Sequence, residues 1–209
     1  MLDLILVNLG IIALISYLLG SFNTAVVVSR ALLKDDIRGH GSGNAGATNA
    51  LRVMGKKLAA LVAAGDILKG VIAVLIASWM FYDMEQYSLA RMVAAAFVVL
   101  GHVYPVFFGF KGGKGVATTA AIILVVDWRV FLICAGIFIA VVLVTRISAL
   151  GSMLGSAGIP LSMWYFKPDD HITIIVSAVI ALFVIFLHKD NIKRLITGTE
   201  NKVFSNKKK

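Results

Sequence analysis

Residues 101–118 read GHVYPVFFGFKGGKGVAT, an aromatic apolar run that ends in Lys111-Gly-Gly-Lys114-Gly115 and then turns apolar again. Outward from this stretch the pattern repeats. Apolar blocks lie at about 4–28, 58–81, 89–110, 116–126, 128–145, 150–166 and 171–187, separated by short polar segments. A helix needs roughly 20 apolar residues to cross the hydrocarbon core, where helices and closed barrels alone satisfy every backbone group. At 59% hydrophobic and 15% charged, the 209 residues are more apolar and less charged than a soluble domain. The reading is an all-α integral membrane protein. Residues 1–209 form a single transmembrane domain, a compact bundle of about seven helices with a basic tail at about 189–209. The block at 116–126 is too short to cross unaided unless the Gly-rich loop extends it or it tilts, so five or six spans are the alternatives.

Charge sets the orientation. Sixteen of the 20 Lys and Arg residues fall in one alternate set of loops: Arg30 to Lys57, Lys111 and Lys114, Arg146, and the tail. The other set holds Arg91, Arg129 and Lys167 with Asp3, Asp83, Glu85, Asp127, Asp169 and Asp170. Cytoplasmic loops carry the excess of Lys and Arg. The N-terminus is therefore expected outside and the C-terminus in the cytoplasm, which suits seven spans and puts every Gly-rich polar loop on the cytoplasmic side. The net charge of +9 does not indicate nucleic acid, because the cations sit in short loops between apolar blocks with no aromatic-basic module. Cys134 is the single cysteine, which excludes disulfides and Cys-based metal sites. The first block lacks a basic leader and a small-residue cleavage pattern, so it reads as a span.

Three polar segments carry the chemistry. Residues 36–52, DIRGHGSGNAGATNALR, contain G-x-G-x-x-G at 41–46, but no apolar strand precedes it and no βαβ unit can be built. What remains is a small-residue loop with donors at Ser42, Asn44, Thr48, Asn49 and Arg52; Thr48 and Arg52 share a face if the segment is helical. The second segment is Lys111–Gly115. It is not a nucleotide P-loop, since Phe108 stands where glycine is required and Gly115 follows Lys114. Bare glycine N–H groups beside a lysine suit a phosphate oxyanion; the plainer reading is a soft turn whose lysines reach the headgroups. The third is split between Thr145–Ser152 and His188–Leu195, where His188, Asn191 and Leu195 share a helical face. The plainer reading there is a juxtamembrane helix meeting anionic lipid, which is also the reading for Lys207–Lys209. Asp66 and Lys69, inside the second block, are spaced to pair, first as a structural pair and second as support for the loops.

Absences narrow the reaction. No His-x-x-x-x-Asp dyad and no G-x-S-x-G elbow exist, and carboxylates are too sparse in the basic loops for a metal site. Cations, amides and hydroxyls, with at most one imidazole as a base, can bind phosphates and stabilise developing negative charge, but are poorly equipped to activate a sluggish ester. The substrate should bring its own leaving group.

Gly-Ser-Gly-Asn-Ala-Gly-Ala-Thr-Asn-x-x-Arg from Gly41, Gly-His-x-Tyr-Pro-x-Phe-x-x-Phe-Lys-Gly-Gly-Lys-Gly-Val-Ala-Thr from Gly101, and His-x-x-Asn-Ile-x-Arg-Leu from His188 resemble the signature motifs of the bacterial acyl-phosphate:glycerol-3-phosphate acyltransferase family, over about residues 15–200. The resemblance implies acyl transfer from a fatty acyl phosphate to glycerol 3-phosphate at the bacterial cytoplasmic (inner) membrane. It implies no metal or cofactor, and a functional link to an enzyme that makes the acyl phosphate. It assigns catalytic roles to Ser42, Arg52, Lys114, His188 and Asn191, and substrate binding to Gly43, Asn44, Thr48, Asn49, Gly112, Gly113, Gly115, Ser148 and Ser152. The chain has Ser148-Ala149 where members often carry adjacent or near-adjacent serines. A membrane anion or phosphate transporter built on the same Gly and Lys loops is the alternative. It should show internal symmetry and polar residues on the outer half, and this sequence has neither.

Overall fold

The computed structural model describes residues 2–203; Lys207–Lys209 lie outside the described residues. Among those residues every regular element is helical: α1 Leu2–Ser21, α2 Thr24–Leu33, α3 Ala47–Val53, α4 Gly55–Met80, α5 Tyr87–Val103, α6 Val116–Val126, α7 Trp128–Thr145, α8 Ser148–Phe166, α9 His171–Phe186 and α10 Lys189–Ile196. Each apolar block of the sequence is mostly helical, but the first is broken at Phe22-Asn23 into α1 and α2, and in the third the α-helix ends at Val103. Among the described residues four stretches are long and apolar enough to cross a membrane: Leu2–Leu33 (α1 with α2), α4, Tyr87–Phe108, and α7. Taking α9 with α10, bent by 53° at their junction, as one span makes a fifth. At about 1.5 Å per residue, the 11 residues of α6 reach only about half the hydrocarbon thickness. Large apolar side chains point outward along the helices, among them Leu143, Val144, Leu161 and Leu182, while Trp79, Trp128, Trp164 and Tyr165 stand exposed near helix ends. Lipid-facing apolar surface edged by interfacial aromatics has this distribution.

The chain forms two compact units, Met1–Val126 and Asp127–Lys209. In the first, α1 and α5 touch backbone to backbone. A Cβ on Gly20 would strike the Val98 carbonyl, and one on Gly101 the Tyr17 carbonyl. Small residues permit this approach where hydrophobic attraction between helices is weak. Asn23 breaks α1 from α2 and caps the latter, its Oδ1 accepting from the Val26 N–H at 3.1 Å. In the second unit Asp127 caps α7 through the Arg129 N–H at 3.0 Å, and Asp170 caps α9 through the Thr173 N–H at 3.1 Å. Each carboxylate satisfies a donor that the first turn leaves unpaired.

Candidate active site

The first polar segment forms a tight loop that opens into α3. Asp36 caps the short turn Ile37–Gly39, and Gly41 and Gly43 follow with φ of 62° and 71°, conformations that glycine adopts without strain. Asn49 lies at the centre, 1% exposed. Its Nδ2 donates to the carbonyls of Ile37 (3.3 Å) and His40 (3.0 Å), and its Oδ1 accepts from the Ser42 N–H at 2.8 Å. Both amide donors are spent on the loop, so Asn49 shapes it. Ser42, Gly43, Thr48 and Arg52 are exposed and Asn44 is half-buried. Thr48 and Arg52 stand four apart within α3, on one face as their spacing predicts. On the flank of the loop His40 Nε2 lies 2.6 Å from Asp35 Oδ2. That pair has the reverse order of the dyad absent from the sequence.

The second segment differs from a nest of bare amides. The Gly112 N–H donates to the Val103 carbonyl at 2.9 Å, and the Gly113 N–H to the His102 carbonyl at 3.1 Å. These carbonyls end α5 and have no partner within the helix; the returning chain satisfies them. Glycine is required for that approach. A Cβ at 112 would strike the His102 carbonyl, and one at 113 would strike the His102 ring and come within 2.9 Å of the Ala45 carbonyl. Lys114 is half-buried, and Gly115, with φ of 79°, leads into α6.

The two segments meet, although 58 residues of sequence, 53–110, lie between them. Gly113 abuts Ala45, whose carbonyl also accepts from Asn23 Nδ2 at 3.4 Å. Arg38 Nη1 crosses to the carbonyls of Phe108 (2.6 Å) and Lys111 (2.9 Å). Asp36 holds Arg38 in place through Oδ2 at 2.8 Å and takes Arg30 at the same distance. The Arg38 hydrogen bond, helped by Arg30, holds the Asp36 carboxyl well below the usual carboxylate range.

Beneath the loops lies a buried charged cluster. Lys69 Nζ is 3.0 Å from Asp66 Oδ1 and donates to the carbonyls of Gly20 and Phe22, each at 3.1 Å, at the break between α1 and α2. Asp66 also accepts from the Thr24 hydroxyl at 3.4 Å, and its carbonyl accepts from the Thr118 hydroxyl at 3.2 Å. His102 is 3% exposed, with Nδ1 3.5 Å from Asp66 Oδ1 and its ring against Gly113. The pair therefore ties together the helices that carry both loops. Sequence reasoning reached Asp66 and Lys69 by their spacing. It missed Asn23 and Arg38, whose partners lie far along the chain.

The second unit holds the remaining residues. Ser148 opens α8, and the Ser152 hydroxyl, buried, donates back to the Ser148 carbonyl at 2.9 Å. Ala149 is buried beside them. His188 is 4% exposed at the corner between α9 and α10, with Nδ1 2.7 Å from the Val184 carbonyl. A carbonyl can only accept, so Nδ1 carries the proton; in the neutral ring the lone pair is then on Nε2. Asn191 is buried in α10 and donates to Glu200 Oε1 at 3.0 Å, while Arg194 Nε donates to Glu200 Oε2 at 2.8 Å. One carboxylate thus orients both side chains.

Comparison with known proteins identifies the family. Residues 10–198 match the family model described as glycerol-3-phosphate acyltransferase. The chain belongs to the glycerol-3-phosphate acyltransferase family. It is 42% identical over 196 residues to the glycerol-3-phosphate acyltransferase of Macrococcus caseolyticus, covering 94% of this chain and 97% of that one. With the Thermoanaerobacter pseudethanolicus protein of the same description the identity is 44% over 191 residues, covering 91% and 93%. Among solved structures it resembles the crystal structure of PlsY (YgiH), an integral membrane glycerol 3-phosphate acyltransferase, in its glycerol 3-phosphate form. The TM-score is 0.85 at 36% identity, covering 93% of this chain and 95% of that one. The lysophosphatidic acid form of PlsY gives a TM-score of 0.84 at 35% identity. This member of the family is accordingly an all-α, multi-pass integral membrane acyltransferase.

Proposed function

We propose that this protein transfers a fatty acyl group from an acyl phosphate to glycerol 3-phosphate, releasing lysophosphatidate and inorganic phosphate as the first step of phospholipid synthesis. The observation that carries the reading is the joining of the Ser42–Arg52 loop to the Lys111–Gly115 loop through Arg38 and the Ala45–Gly113 contact. Two segments rich in hydroxyls, amides and cations are built into one unit, as a doubly phosphorylated substrate set requires. An acyl phosphate is a mixed anhydride, so its leaving group needs only charge neutralisation.

In this proposal Ser42, Gly43, Asn44 and Thr48, with Lys114 and Gly115, cradle the acyl-phosphate group, on a loop that Asn49 shapes, while Gly112 and Gly113, their N–H groups spent on the end of α5, let the second segment lie close to the first. The family resemblance assigns glycerol 3-phosphate to Arg52 and Lys114 of the first unit and to His188 and Asn191 of the second, with Ser148 and Ser152 as further binding residues. The glycerol hydroxyl oxygen attacks the acyl carbon, the acyl carbon–oxygen bond to phosphate breaks, and phosphate departs with the electron pair against Lys114 and Arg52. The hydroxyl proton goes to His188 Nε2, the nitrogen that the Val184 contact leaves as acceptor, or to a phosphate oxygen of a substrate. The chain would act in the bacterial cytoplasmic membrane as one transmembrane domain of seven spans. Its N-terminus would lie outside, its site would face the cytoplasm, and its donor would come from an acyl-phosphate-producing enzyme. Purified protein given palmitoyl phosphate and glycerol 3-phosphate should release phosphate and form lysophosphatidate. Folded protein that makes no lysophosphatidate under these conditions refutes the proposal.

A further inference from the structure

α10 has three distinct surfaces within its eight residues. Asn191 is buried and Arg194 half-buried, both held by Glu200. Ile192 and Ile196, one helical turn apart, are exposed, Ile196 by 82%. Lys189 and Lys193, also one turn apart, are exposed between these surfaces. Asp190 is the single acid of the helix, and Glu200, the acid packed against it, is spent on Asn191 and Arg194. Lys189 and Lys193 therefore outnumber the remaining acid on the outward side.

The setting says what covers that side. α10 follows α9 after a 53° bend, and α9 ends with Leu182 and Phe186 exposed in the manner of a lipid-facing span. Lys189 Nζ sits over the Phe186 ring, 5.5 Å from its centre, at the point where the apolar run gives way to charge. A helix with bare isoleucines on one side and lysines beside them, turned aside at the end of a span, matches one lying in the headgroup layer. Basic residues there are drawn to the negative surface potential of anionic lipid.

We infer that α10 is an interfacial helix that docks on anionic phospholipid headgroups through Lys189 and Lys193, with Ile192 and Ile196 in the acyl boundary, and that this docking holds His188 and Asn191 for turnover. The second half rests on the proposed role of those two residues. An acyltransferase at the start of phospholipid synthesis would then respond to the charge of the membrane its products build.

The test compares full-length protein in phosphatidylglycerol and in phosphatidylcholine vesicles, reading hydrogen exchange over residues 189–196 together with turnover. Phosphatidylglycerol should slow exchange in α10 and raise kcat/KM for glycerol 3-phosphate several-fold. K189Q/K193Q should lose both responses while keeping the turnover of wild type in phosphatidylcholine. Exchange that ignores lipid charge, or a response that persists in K189Q/K193Q, overturns the docking. Exchange that responds without turnover overturns the coupling. H188A is assayed alongside: if it turns over normally, the site assignment has failed, and if it is inactive, only the coupling has.

Discussion

The polar segments of the two units are held in opposite ways. In the first unit the ties are long: Arg38 reaches the carbonyls of Phe108 and Lys111, Asn23 reaches Ala45, and Lys69 reaches Gly20 and Phe22. In the second the side-chain ties are short: His188 bonds four residues back to Val184, Ser152 four back to Ser148, and Asn191 and Arg194 share Glu200 within nine residues, while one backbone bond, from the Val203 N–H to the Arg146 carbonyl at 2.7 Å, spans the unit. The first region is positioned by the packing of helices distant in sequence, the second by the local course of the chain. Damage to the first should therefore spread across the unit, whereas damage to the second should stay where it is made.

The largest effects fall on the groups proposed to meet phosphate. Lys114→Ala and Arg52→Ala should each lower kcat/KM by about 10²-fold or more, with the protein still folded, since a charge-stabilising donor is commonly worth that much. Near-wild-type rates in both would remove the first unit from the chemistry. Next comes the buried pair. Lys69→Met leaves Asp66 without its cation among buried helices and should cost about 3–5 kcal/mol of stability, seen as a large drop in thermal midpoint in detergent. A midpoint close to that of wild type would mean that the long ties are not what holds this unit.

Arg38→Ala cuts the bond between the loops and sharpens the contrast further. Turnover should fall by up to about 10²-fold through misplacement, with little change in midpoint. Glu200→Ala should act more narrowly, raising KM for glycerol 3-phosphate about tenfold by freeing Asn191 and Arg194, a loss typical of hydrogen bonds to a charged group. An equal loss of acyl-phosphate binding in this variant would contradict a locally held second region. The smallest effect is in acid. The folded carboxyl of Asp36 lies below its unfolded value of 3.8, so its contribution to stability is present above that pH and is lost as the pH falls through the folded value. Wild type should exceed Asp36→Asn in stability at neutral pH, with the gap closing below about pH 4; a gap constant across an acid titration would show that Arg38 does not depend on this carboxylate.

Much of the fold is legible in the sequence. Seven apolar blocks specify helices because a backbone in hydrocarbon must satisfy its own hydrogen bonds, and the family follows from the motifs that contain Ser42, Lys114 and His188. The helical facing of Thr48 and Arg52 is a matter of spacing alone. The role of the glycines was not legible. Gly112 and Gly113 read as donors for an anion, whereas their N–H groups close the end of α5 and their lack of a side chain admits the His102 carbonyl and ring. Nothing in Lys-Gly-Gly-Lys distinguishes those uses, because the partner lies in a neighbouring helix. Asn49 likewise reads as one more donor and proves to be the centre of its loop.

Helices, membrane class and family are readable from the order of residues alone, because periodicity, hydropathy and motif spacing act over a few residues at a time. Which polar groups shape the candidate site, and which face out of it, is set by packing. That division depends on where Arg38, Asn23 and the Asp66–Lys69 pair find their partners. A buried donor or charge must be satisfied by whatever the packing brings to it, and the sequence does not display that packing.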